Sequence, residues 1–461
     1  MRMPDDRQPQ GRVARGARLS KVAVTHVSRG ALRRAREPFM SDDEKAAARD
    51  AEVLRLADDL VSALGAMKGA AMKLGQALSL LNLGLSSAEA RDEFSRRLAP
   101  LYRRAPAVAN AAMFGVIDRE LGDRRRQLVS IEPEPLASAS LGQVYRGVLD
   151  DGRAVAIKVQ YPSAQSSVRA DLKNLALLVR LRSRDLPNVG LEELVDELSD
   201  QILLELDYRR EFANHRQVYQ DHLGHPVFRI PEPIESLCTA KVLTSEYLDG
   251  TTLDQLGPVR PEVADHLGEA VYRFYCGGVH TTGRFCADPH PGNIVVLADG
   301  AVGFVDFGLY LTMDSAQLEL ERKVLGAVLA GDSRTAYEFA RAGGFIVDET
   351  SMPEEMVMDY LTTVAAWHLA PGVVTITPKV AYRSLSQAIL PRSEFRKGMY
   401  RQRVPREHLF SRRTEMSVCA LLGDLQSSGP WRAISEEWIL GGEPATAMGR
   451  RIAQWESTRL R

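Results

Sequence analysis

The sequence predicts an α+β protein of two lobes, a small sheet-bearing lobe followed by a larger and mainly helical one. Three observations predict this class: helical periodicity over residues 41–125, short β-like runs between about 131 and 247, and renewed helical patterns from about 260. A chain of 461 residues is long enough for two or three packed units. The predicted parts are a basic N-terminal arm (1–40), a helical extension (41–130), the sheet-bearing lobe (131–250) and the helical lobe (251–461).

Composition and charge exclude several functional classes. The 59 Lys and Arg residues nearly balance the 60 Asp and Glu residues, so no overall field attracts nucleic acid. The 4 cysteines form no close pair, which argues against a disulfide framework or a zinc knuckle and favours a reducing, cytoplasmic compartment. No run of about 18 apolar residues occurs, so we expect no membrane-spanning helix.

The arm differs from the rest of the chain because it is strongly basic. Ten Lys or Arg side chains stand against three Asp or Glu within residues 1–40. Arg12, Arg15 and Arg18 recur at helical spacing, so a helix here would present a basic face to an anionic lipid surface, at the inner face of a membrane. A solvated arm is the alternative, and an organelle-targeting segment is another because acidic residues are scarce.

Local signals predict the elements that follow the arm. Ser41 with Glu44, and Ser86 with Glu89, form capping boxes that begin helices of the extension. The remaining predicted elements are a β-hairpin turning at 150–152, helices over about 164–182 and 191–220, strands around 227–230 and 240–247, and a strand pair, 294–296 and 302–305, that turns at 299–300.

A lysine at the end of an apolar strand is the first of three motifs that carry chemistry. In Val155-Ala156-Ile157-Lys158, buried neighbours can hold the ammonium group rigidly. Such a charge is costly to bury unless a phosphate or carboxylate meets it. The alternative is an edge-strand lysine whose charge reaches solvent.

Two acidic motifs follow in the helical lobe. In the segment Asp288-Pro289-His290-Pro291-Gly292-Asn293, the carboxylate can address a hydroxyl or water and the amide oxygen can reach a metal. The alternative is a tight turn. Asp306-Phe307-Gly308 directly follows the predicted strand pair, which should return Asp306 close to Asn293. Two hard oxygen ligands side by side suit Mg²⁺ that carries the phosphates of a nucleotide.

The order and context of the three motifs predict a protein-kinase-like fold, although each motif alone recurs by chance. On that fold Glu246 falls at the connection between the lobes, where backbone groups contact adenine. No G-x-G-x-x-G precedes Lys158. Its place is taken by residues 135–144, whose alanines and serines restrict the backbone where glycines would let it wrap phosphates. We therefore expect ATP or ADP to be held differently here.

That loop and several further motifs resemble those of the UbiB/AarF family of atypical kinases, whose members include proteins needed for ubiquinone synthesis. The resemblance covers residues from about 55 to 310. Residues 72–76 match the K-x-G-Q element of the family, and residues 137–143 match its alanine-rich loop. Glu205-Leu206-Asp207 matches the E-x-D element, and residues 287–293 match the A-D-P-H-P-G-N loop.

The resemblance implies that the helical extension lies across the cleft between the lobes. The K-x-G-Q element would cover the place where a protein substrate docks and meet the E-x-D element, which makes phosphorylation of proteins in trans unsuited to this family. Glu211 would pair with Lys158. The expected site residues are Lys73, Gln76, Lys158, Glu211 and Asp288 for catalysis; Ala137, Ser138, Ala139, Ser140, Lys158, Glu205, Asp207 and Glu246 for the nucleotide; and Asn293 and Asp306 for Mg²⁺.

Helix geometry gives a partial check on the E-x-D element. On one helix over 191–220, Asp207 and Glu211 would share a face and repel each other unless cations intervene. Lys73 and Lys158 would supply those cations. Glu205 would point about 200° away from Asp207, so both cannot touch one lysine unless the helix ends or bends there. A plain charged surface helix is the alternative. Cys286 stands where the family usually has histidine, which removes a hydrogen-bonding brace of the 287–293 loop.

These features predict an atypical kinase or ATPase that binds Mg²⁺ with ATP or ADP and acts on a small-molecule or lipid acceptor, or on water. The resemblance implies a role near isoprenoid-quinone or other lipid metabolism at a membrane surface, with protein partners in a biosynthetic complex. The second hypothesis is a nucleotide-gated scaffold with little turnover, favoured by the K-x-G-Q element and the stiff loop. The third, an ordinary protein kinase, is opposed by the absent glycine loop and A-P-E segment.

Overall fold

The protein forms two compact units. A computed structural model describes residues 41–64, 88–99, 108–139, 141–182, 199, 202–203, 206–389, 395, 398, 402 and 405–459. Unit one groups Met1–Glu120, Glu132–Tyr145 and Lys158–Leu206, and unit two groups Leu121–Ile131, Arg146–Ile157 and Asp207–Arg461.

In unit one, helix α1 (Asp42–Leu64) packs against α2 (Ala88–Leu98) and α4 (Ala164–Arg182). The capping box at its start is confirmed: the N–H of Ser41 donates to Glu44 Oε2 (2.8 Å), and the N–H of Glu44 donates to Ser41 Oγ (3.2 Å). Helix α1 buries Leu56 among its neighbours. Ser86, of the second predicted capping box, lies outside the described residues. The helices are α1 (Asp42–Leu64), α2 (Ala88–Leu98), α3 (Asn110–Leu121) and α4 (Ala164–Arg182).

A five-stranded sheet contains the predicted lysine strand. Its order is β1-β3-β4-β6, with β2 added to β3. The predicted hairpin at 150–152 is confirmed, because the N–H of Leu149 donates to the carbonyl of Arg153 (2.9 Å) and Gly152 adopts φ +86°. The strands are β1 (Leu128–Ile131), β2 (Ala137–Ala139), β3 (Gly142–Leu149), β4 (Ala154–Gln160) and β6 (Val242–Glu246).

The prediction of one helix over 191–220 is wrong, because the helical path is interrupted at Leu206 and Asp207. Helix α5 (Tyr208–Asp221) starts only after Asp207, whose φ of −118° and ψ of 99° are extended. The Asp207 side chain accepts a hydrogen bond from the N–H of Arg209 (3.0 Å), so it caps the helix. Asp207 and Glu211 therefore do not share one helix face.

Short sheets and many helices build unit two. The predicted strand pair around 299–300 is confirmed: β9 and β10 pair with Val302 opposite Val296, and Gly300 turns at φ +82°. One four-stranded sheet has the order β5-β10-β9-β7, and two ladders pair β8 with β11 and β12 with β13. These strands are β5 (Phe228–Arg229), β7 (Gly250–Thr252), β8 (Arg284–Cys286), β9 (Ile294–Leu297), β10 (Val302–Phe304), β11 (Tyr310–Thr312), β12 (Val374–Thr375) and β13 (Ser428–Gly429).

Aromatic side chains form the centre of the core of unit two. Phe274 stacks on Phe304, while Tyr272 meets Trp431 edge to face, with ring centroids 5.4 Å apart. No helix in the described part of the chain is both long enough and apolar enough to span a bilayer. After α5 the helices are α6 (Pro261–Tyr272), α7 (Gly278–Thr282), α8 (Ser315–Ala330), α9 (Ser333–Ala342), α10 (Glu354–Val364), α11 (Ala366–Leu369), α12 (Pro378–Ile389), α13 (Arg406–Leu425), α14 (Trp431–Ile439) and α15 (Ala447–Arg459).

Candidate functional site

The β9–β10 hairpin brings the two predicted metal ligands together. Phe304 pairs with Ile294, and beyond this pair the N–H of Val305 donates to the carbonyl of Asn293 (3.2 Å). Asp306 is the next residue, so its backbone lies beside that of Asn293. This register confirms the expected approach of the two residues.

A second ladder places Asp288 next to the same motif. Strand β8 ends at Cys286, which pairs with Tyr310 at the start of β11. The ladder continues beyond the strands, because the N–H of Ala287 donates to the carbonyl of Leu309 (2.8 Å). Asp288 follows directly, and Leu309 directly follows the D-F-G motif. The ladder therefore fixes the 287–293 loop against that motif.

The 287–293 loop is held by hydrogen bonds of its own. The N–H of His290 donates to the carbonyl of Asp288 (2.8 Å), and the N–H of Asn293 donates to the carbonyl of His290 (2.9 Å). The imidazole of His290 accepts from the N–H of Gly292 at Nδ1 (3.1 Å). Two prolines restrict the same stretch of backbone. The loop thus presents Asp288 and Asn293 from a constrained turn.

The thiol of Cys286 links the 287–293 loop to the D-F-G motif. Cys286 is buried, and its Sγ donates to the carbonyl of Asp306 (3.5 Å). A thiol is a weaker donor than an imidazole. The loss of a histidine brace at this position stays a prediction.

Glu211 lies buried against the D-F-G glycine. Its side chain is 5% exposed, and its Oε2 lies 3.5 Å from the position that a Cβ on Gly308 would take. Asp306 Oδ1 lies 3.3 Å from that position and accepts the N–H of Gly308 (2.9 Å). The absence of a side chain at Gly308 leaves room for both carboxylates to approach the same point.

Two residues missed in the sequence tie α5 to the D-F-G motif. Asn214 Nδ2 donates to the carbonyl of Phe307 (3.0 Å), and the ring of His215 lies 4.8 Å from the ring of Phe307. His215 Nε2 is also 2.8 Å from the carbonyl of Pro231. Both residues lie three or four positions after Glu211, on the same side of the helix, which is the signal that could have found them.

Several acidic side chains give the candidate site a negative charge, which a cation would stabilise. Burial raises the pKa of the Tyr275 hydroxyl well above its usual range, and Cys286, Asp288 and Asp306 nearby raise that pKa further. Asp254, which the sequence did not reveal, adds a carboxylate 3.7 Å from the position of a Cβ on Gly292. No group of three or more His, Cys, Asp or Glu side chains in the described residues is arranged to hold a metal ion, but the carboxylate of Asp306 with the amide oxygen of Asn293 is a donor set that fits Mg²⁺.

Lys158 lies in unit one, on the partly exposed face of β4. Val155, Ile157 and Val159 are buried on the opposite face, as the apolar run predicted. Because β4 lies between β3 and β6, the edge-strand alternative is wrong. The pairing of Lys158 with Glu211, which belongs to unit two, stays a prediction.

The alanine-serine loop is a paired β-ribbon. In β2, Ala137 lies opposite Val144 and Ser138 lies opposite Gln143, and the side chains of Ala137 and Ser138 are exposed. Ala139 pairs with Gly142 across the turn. Backbone groups used in this ladder are unavailable to phosphates, which agrees with a loop stiffer than a glycine-rich one.

Of the remaining predicted site residues, two are described by the structure and four lie outside the described residues. Glu246 ends β6, and its backbone N–H donates to the carbonyl of Glu232 (2.8 Å), so that N–H is not free for adenine. Asp207 is an exposed helix cap. Lys73, Gln76, Ser140 and Glu205 lie outside the described residues, so their roles stay predictions.

The fold and the site together define a protein-kinase-like α+β protein. Residues 100–340 match the family model described as the ABC1 atypical kinase-like domain. This match covers more than half of the chain, and the chain belongs to that family. The resemblance to atypical kinases of the UbiB/AarF type is confirmed.

Similar proteins support this assignment. The Rattus norvegicus protein "Atypical kinase COQ8B, mitochondrial" is 32% identical over 280 residues, which are 60% of this chain and 52% of that protein. "Protein ACTIVITY OF BC1 COMPLEX KINASE 1, chloroplastic" of Arabidopsis thaliana is 32% identical over 276 residues, 57% of this chain and 39% of that protein. The chain thus spans about half, or less, of the length of these relatives.

A solved structure confirms the fold. Rv3197 of Mycobacterium tuberculosis, solved in complex with erythromycin, is 28% identical in sequence and superposes with a TM-score of 0.59. The alignment covers 87% of this chain and 98% of that chain. The predicted α+β, kinase-like fold is therefore confirmed.

Proposed function

We propose that the protein binds Mg²⁺ with ATP or ADP and acts as an atypical kinase or ATPase on a small-molecule or lipid acceptor, or on water. The names of its relatives support a kinase-like role. The family resemblance further supports work near isoprenoid-quinone or lipid metabolism, at a membrane surface and with protein partners. The basic arm, which lies outside the described residues, is the proposed membrane contact.

One observation carries the proposal. Two independent ladders and the Glu211–Gly308 contact bring Asp288, Asn293, Asp306 and Glu211 to one place in unit two. These residues come from three separate stretches of chain, the helix α5, the 287–293 loop and the D-F-G motif, so only the fold unites them. A purely structural role would not require so many carboxylates to be held near one another.

Each residue has a proposed task in the reaction. Asp306 and Asn293 would hold Mg²⁺, which neutralises charge on the phosphate oxygens. Asp288 would orient the attacking hydroxyl or water from its constrained loop. Lys158 would contact the α- and β-phosphates and be oriented by Glu211. The backbone carbonyl of Glu246, which accepts a hydrogen bond from Ser245 Oγ (3.4 Å), is the group proposed for adenine, since the N–H of Glu246 is already used within the chain.

The test is ATP hydrolysis by the purified protein and by Asp306→Asn, each with and without anionic lipid vesicles. The substitution keeps the size of the side chain and removes its charge, so turnover should fall by roughly 10²- to 10³-fold or more. Asp299→Asn is the matched control, because Asp299 lies exposed in the turn of the same hairpin. Its turnover should equal that of the unmodified protein. Equal turnover in Asp306→Asn would contradict the proposal.

The paired β2–β3 ribbon favours a second candidate, a nucleotide-gated scaffold with little turnover. A ribbon whose backbone is already hydrogen-bonded cannot wrap phosphates as a glycine loop does. In this case nucleotide would bind the unmodified protein without measurable hydrolysis. Asp306→Asn would then weaken Mg²⁺-dependent nucleotide binding, as measured by calorimetry, while Asp299→Asn would not.

A further inference from the structure

A cavity of about 510 Å³ opens in unit two, between α8, α9 and the end of α14. It contains none of the motif residues of the candidate site. Its polar end is formed by Glu319, Arg322 and Lys323, and its apolar wall includes Phe339, Trp438 and Leu440. Cavities of this size hold ligands of the size of drugs or metabolites rather than single ions.

The polar end of the cavity carries one unmatched positive charge. Lys323 Nζ lies 3.6 Å from Glu319 Oε1 and 5.4 Å from the centre of the Phe339 ring. The charges of Lys323 and Glu319 therefore offset each other. Arg322 donates through Nη2 to the carbonyl of His280. In the described part of the chain, no carboxylate forms an ion pair with Arg322, and its buried Nε–H has no acceptor.

The other walls are apolar and accessible. Leu440 is 58% exposed at the rim, so its side chain offers apolar surface to a ligand. The indole N–H of Trp438 is used inside the protein by the carbonyl of Ile434, so its ring offers the cavity an apolar surface. Gly326 on α8 leaves the middle of the cavity open, with its nearest neighbour, Leu440 Cδ2, 3.5 Å from the position of an added Cβ.

We propose that this cavity is a binding site for a small amphipathic anion, whose negative head meets Arg322 and whose apolar body lies along Phe339, Trp438 and Leu440. A cationic ligand is disfavoured, because Lys323 already occupies a position over the Phe339 ring and would repel it together with Arg322. The negative head would meet the guanidinium group of Arg322, which lines the cavity and forms no ion pair with a described carboxylate. The proposal does not depend on the chemistry of the nucleotide site.

The test uses a pair of probes that differ in one charged group. 8-Anilinonaphthalene-1-sulfonate carries a sulfonate, and N-phenyl-1-naphthylamine has the same apolar body without it. Both are titrated by fluorescence into the full chain, with Mg²⁺-ATP present and absent so that binding at the proposed nucleotide site is separated. The unmodified protein should bind the sulfonate more tightly than the neutral probe in both conditions.

Four variants test whether the probes bind in this cavity. Arg322→Gln should weaken binding of the sulfonate by roughly 10- to 100-fold, as for loss of a charge-assisted hydrogen bond, with little change for the neutral probe. Gly326→Leu should fill the cavity and weaken both probes. Leu440→Asp, at an exposed position that tolerates change, should weaken the sulfonate even if Arg322→Gln folds poorly. Arg334→Gln is the control, because Arg334 is 81% exposed on α9 and does not line the cavity.

Three results would overturn the site. The first is equal affinity of the unmodified protein for the two probes, which would show a merely apolar patch. The second is unchanged binding of the sulfonate in both Arg322→Gln and Leu440→Asp, with melting temperatures close to that of the unmodified protein. Binding lost in Arg334→Gln as well would also overturn it, because the effect would then follow overall charge.

Discussion

Protonation of His280 should destabilise the protein as the pH falls below neutrality. The side chain is 8% exposed in α7, its ring lies 6.2 Å from that of Trp438, and no described residue hydrogen-bonds its Nδ1. Burial lowers its pKa to about 4; Glu321 nearby opposes this shift, and Arg322 and Arg412 add to it. The folded protein therefore keeps this imidazole neutral at pH values where an unfolded chain would protonate it.

The size of the effect follows from the two pKa values. An unfolded histidine titrates near 6.5, so between that pH and about 4 only the unfolded chain binds the proton. Each pH unit in this window changes the free energy of unfolding by about 1.4 kcal/mol. His280 thus contributes stability that is fully present above pH 6.5 and falls by up to about 3 kcal/mol as the pH approaches 4.

The assay is urea unfolding of the unmodified protein and His280→Gln at pH 7, 6 and 5. Glutamine cannot take up the proton, so the variant should gain about 2 kcal/mol relative to the unmodified protein between pH 7 and pH 5. Other buried histidines are present in both proteins and cancel in the difference, apart from the part of the lowered pKa of His368 that His280 itself causes. His266→Gln is the control, since His266 is partly exposed. Parallel stability curves for the unmodified protein and His280→Gln would refute the reasoning.

Two further substitutions that should change stability are each paired with a control substitution. Arg273 is 8% exposed between two partly buried carboxylates at 2.7 Å, so Arg273→Met should lower the free energy of unfolding by about 3–5 kcal/mol, whereas Arg334→Gln, at an exposed pair, should change it by less than about 0.5 kcal/mol. Urea titrations check both, and equal losses would contradict the role of burial. A Cβ at Gly277 would lie 2.3 Å from the Trp438 ring, so Gly277→Ala should cost at least about 1–3 kcal/mol, while Gly326→Ala, with 3.5 Å of space, should gain about 0.5–1 kcal/mol. Equal changes of melting temperature in Gly277→Ala and Gly326→Ala would show that the space around the glycine does not cause the difference.

The elements that the sequence predicts well are those specified by adjacent residues. The hairpins at Gly152 and Gly300 both turn through positive φ, a conformation that glycine adopts without strain, and each glycine stands beside an aspartate. The capping box at Ser41 is equally local. Alternation along β4 shows which face of the strand is buried. In these cases a few neighbouring residues decide the structure.

The interruption before α5 could not be predicted, because distant residues produce it. Gln160 Nε2 and Gln165 Nε2 both donate to the carbonyl of Leu206, at 3.1 and 3.3 Å. That carbonyl is thereby held by side chains from elsewhere in unit one. Asp207 then caps a new helix. Helical periodicity continues through the interruption, so the pattern alone indicates one helix where the structure has a break.

In the candidate site, too, some residues could be predicted from local sequence and others could not. Asp288, Asn293 and Asp306 lie in motifs with recognisable spacing, and the hairpin between them could be predicted from its turn. Asn214 and Asp254 have no such motif. Their proximity to the site arises from packing of α5 and of a short turn after β7, which sequence spacing does not record. Sequence reasoning thus finds the residues that form motifs and misses those that hold them in place.

The three residues of the D-F-G motif make three different contacts. Asp306 accepts the N–H of Gly308, and Phe307 is fully buried beside the ring of His215. Gly308 does not adopt positive φ, so its role is to provide space: an added Cβ would lie 3.3 Å from Asp306 Oδ1 and 3.5 Å from Glu211 Oε2. The motif therefore ties the helix that carries Glu211 to the proposed metal ligand, and displacement of either element should displace the other.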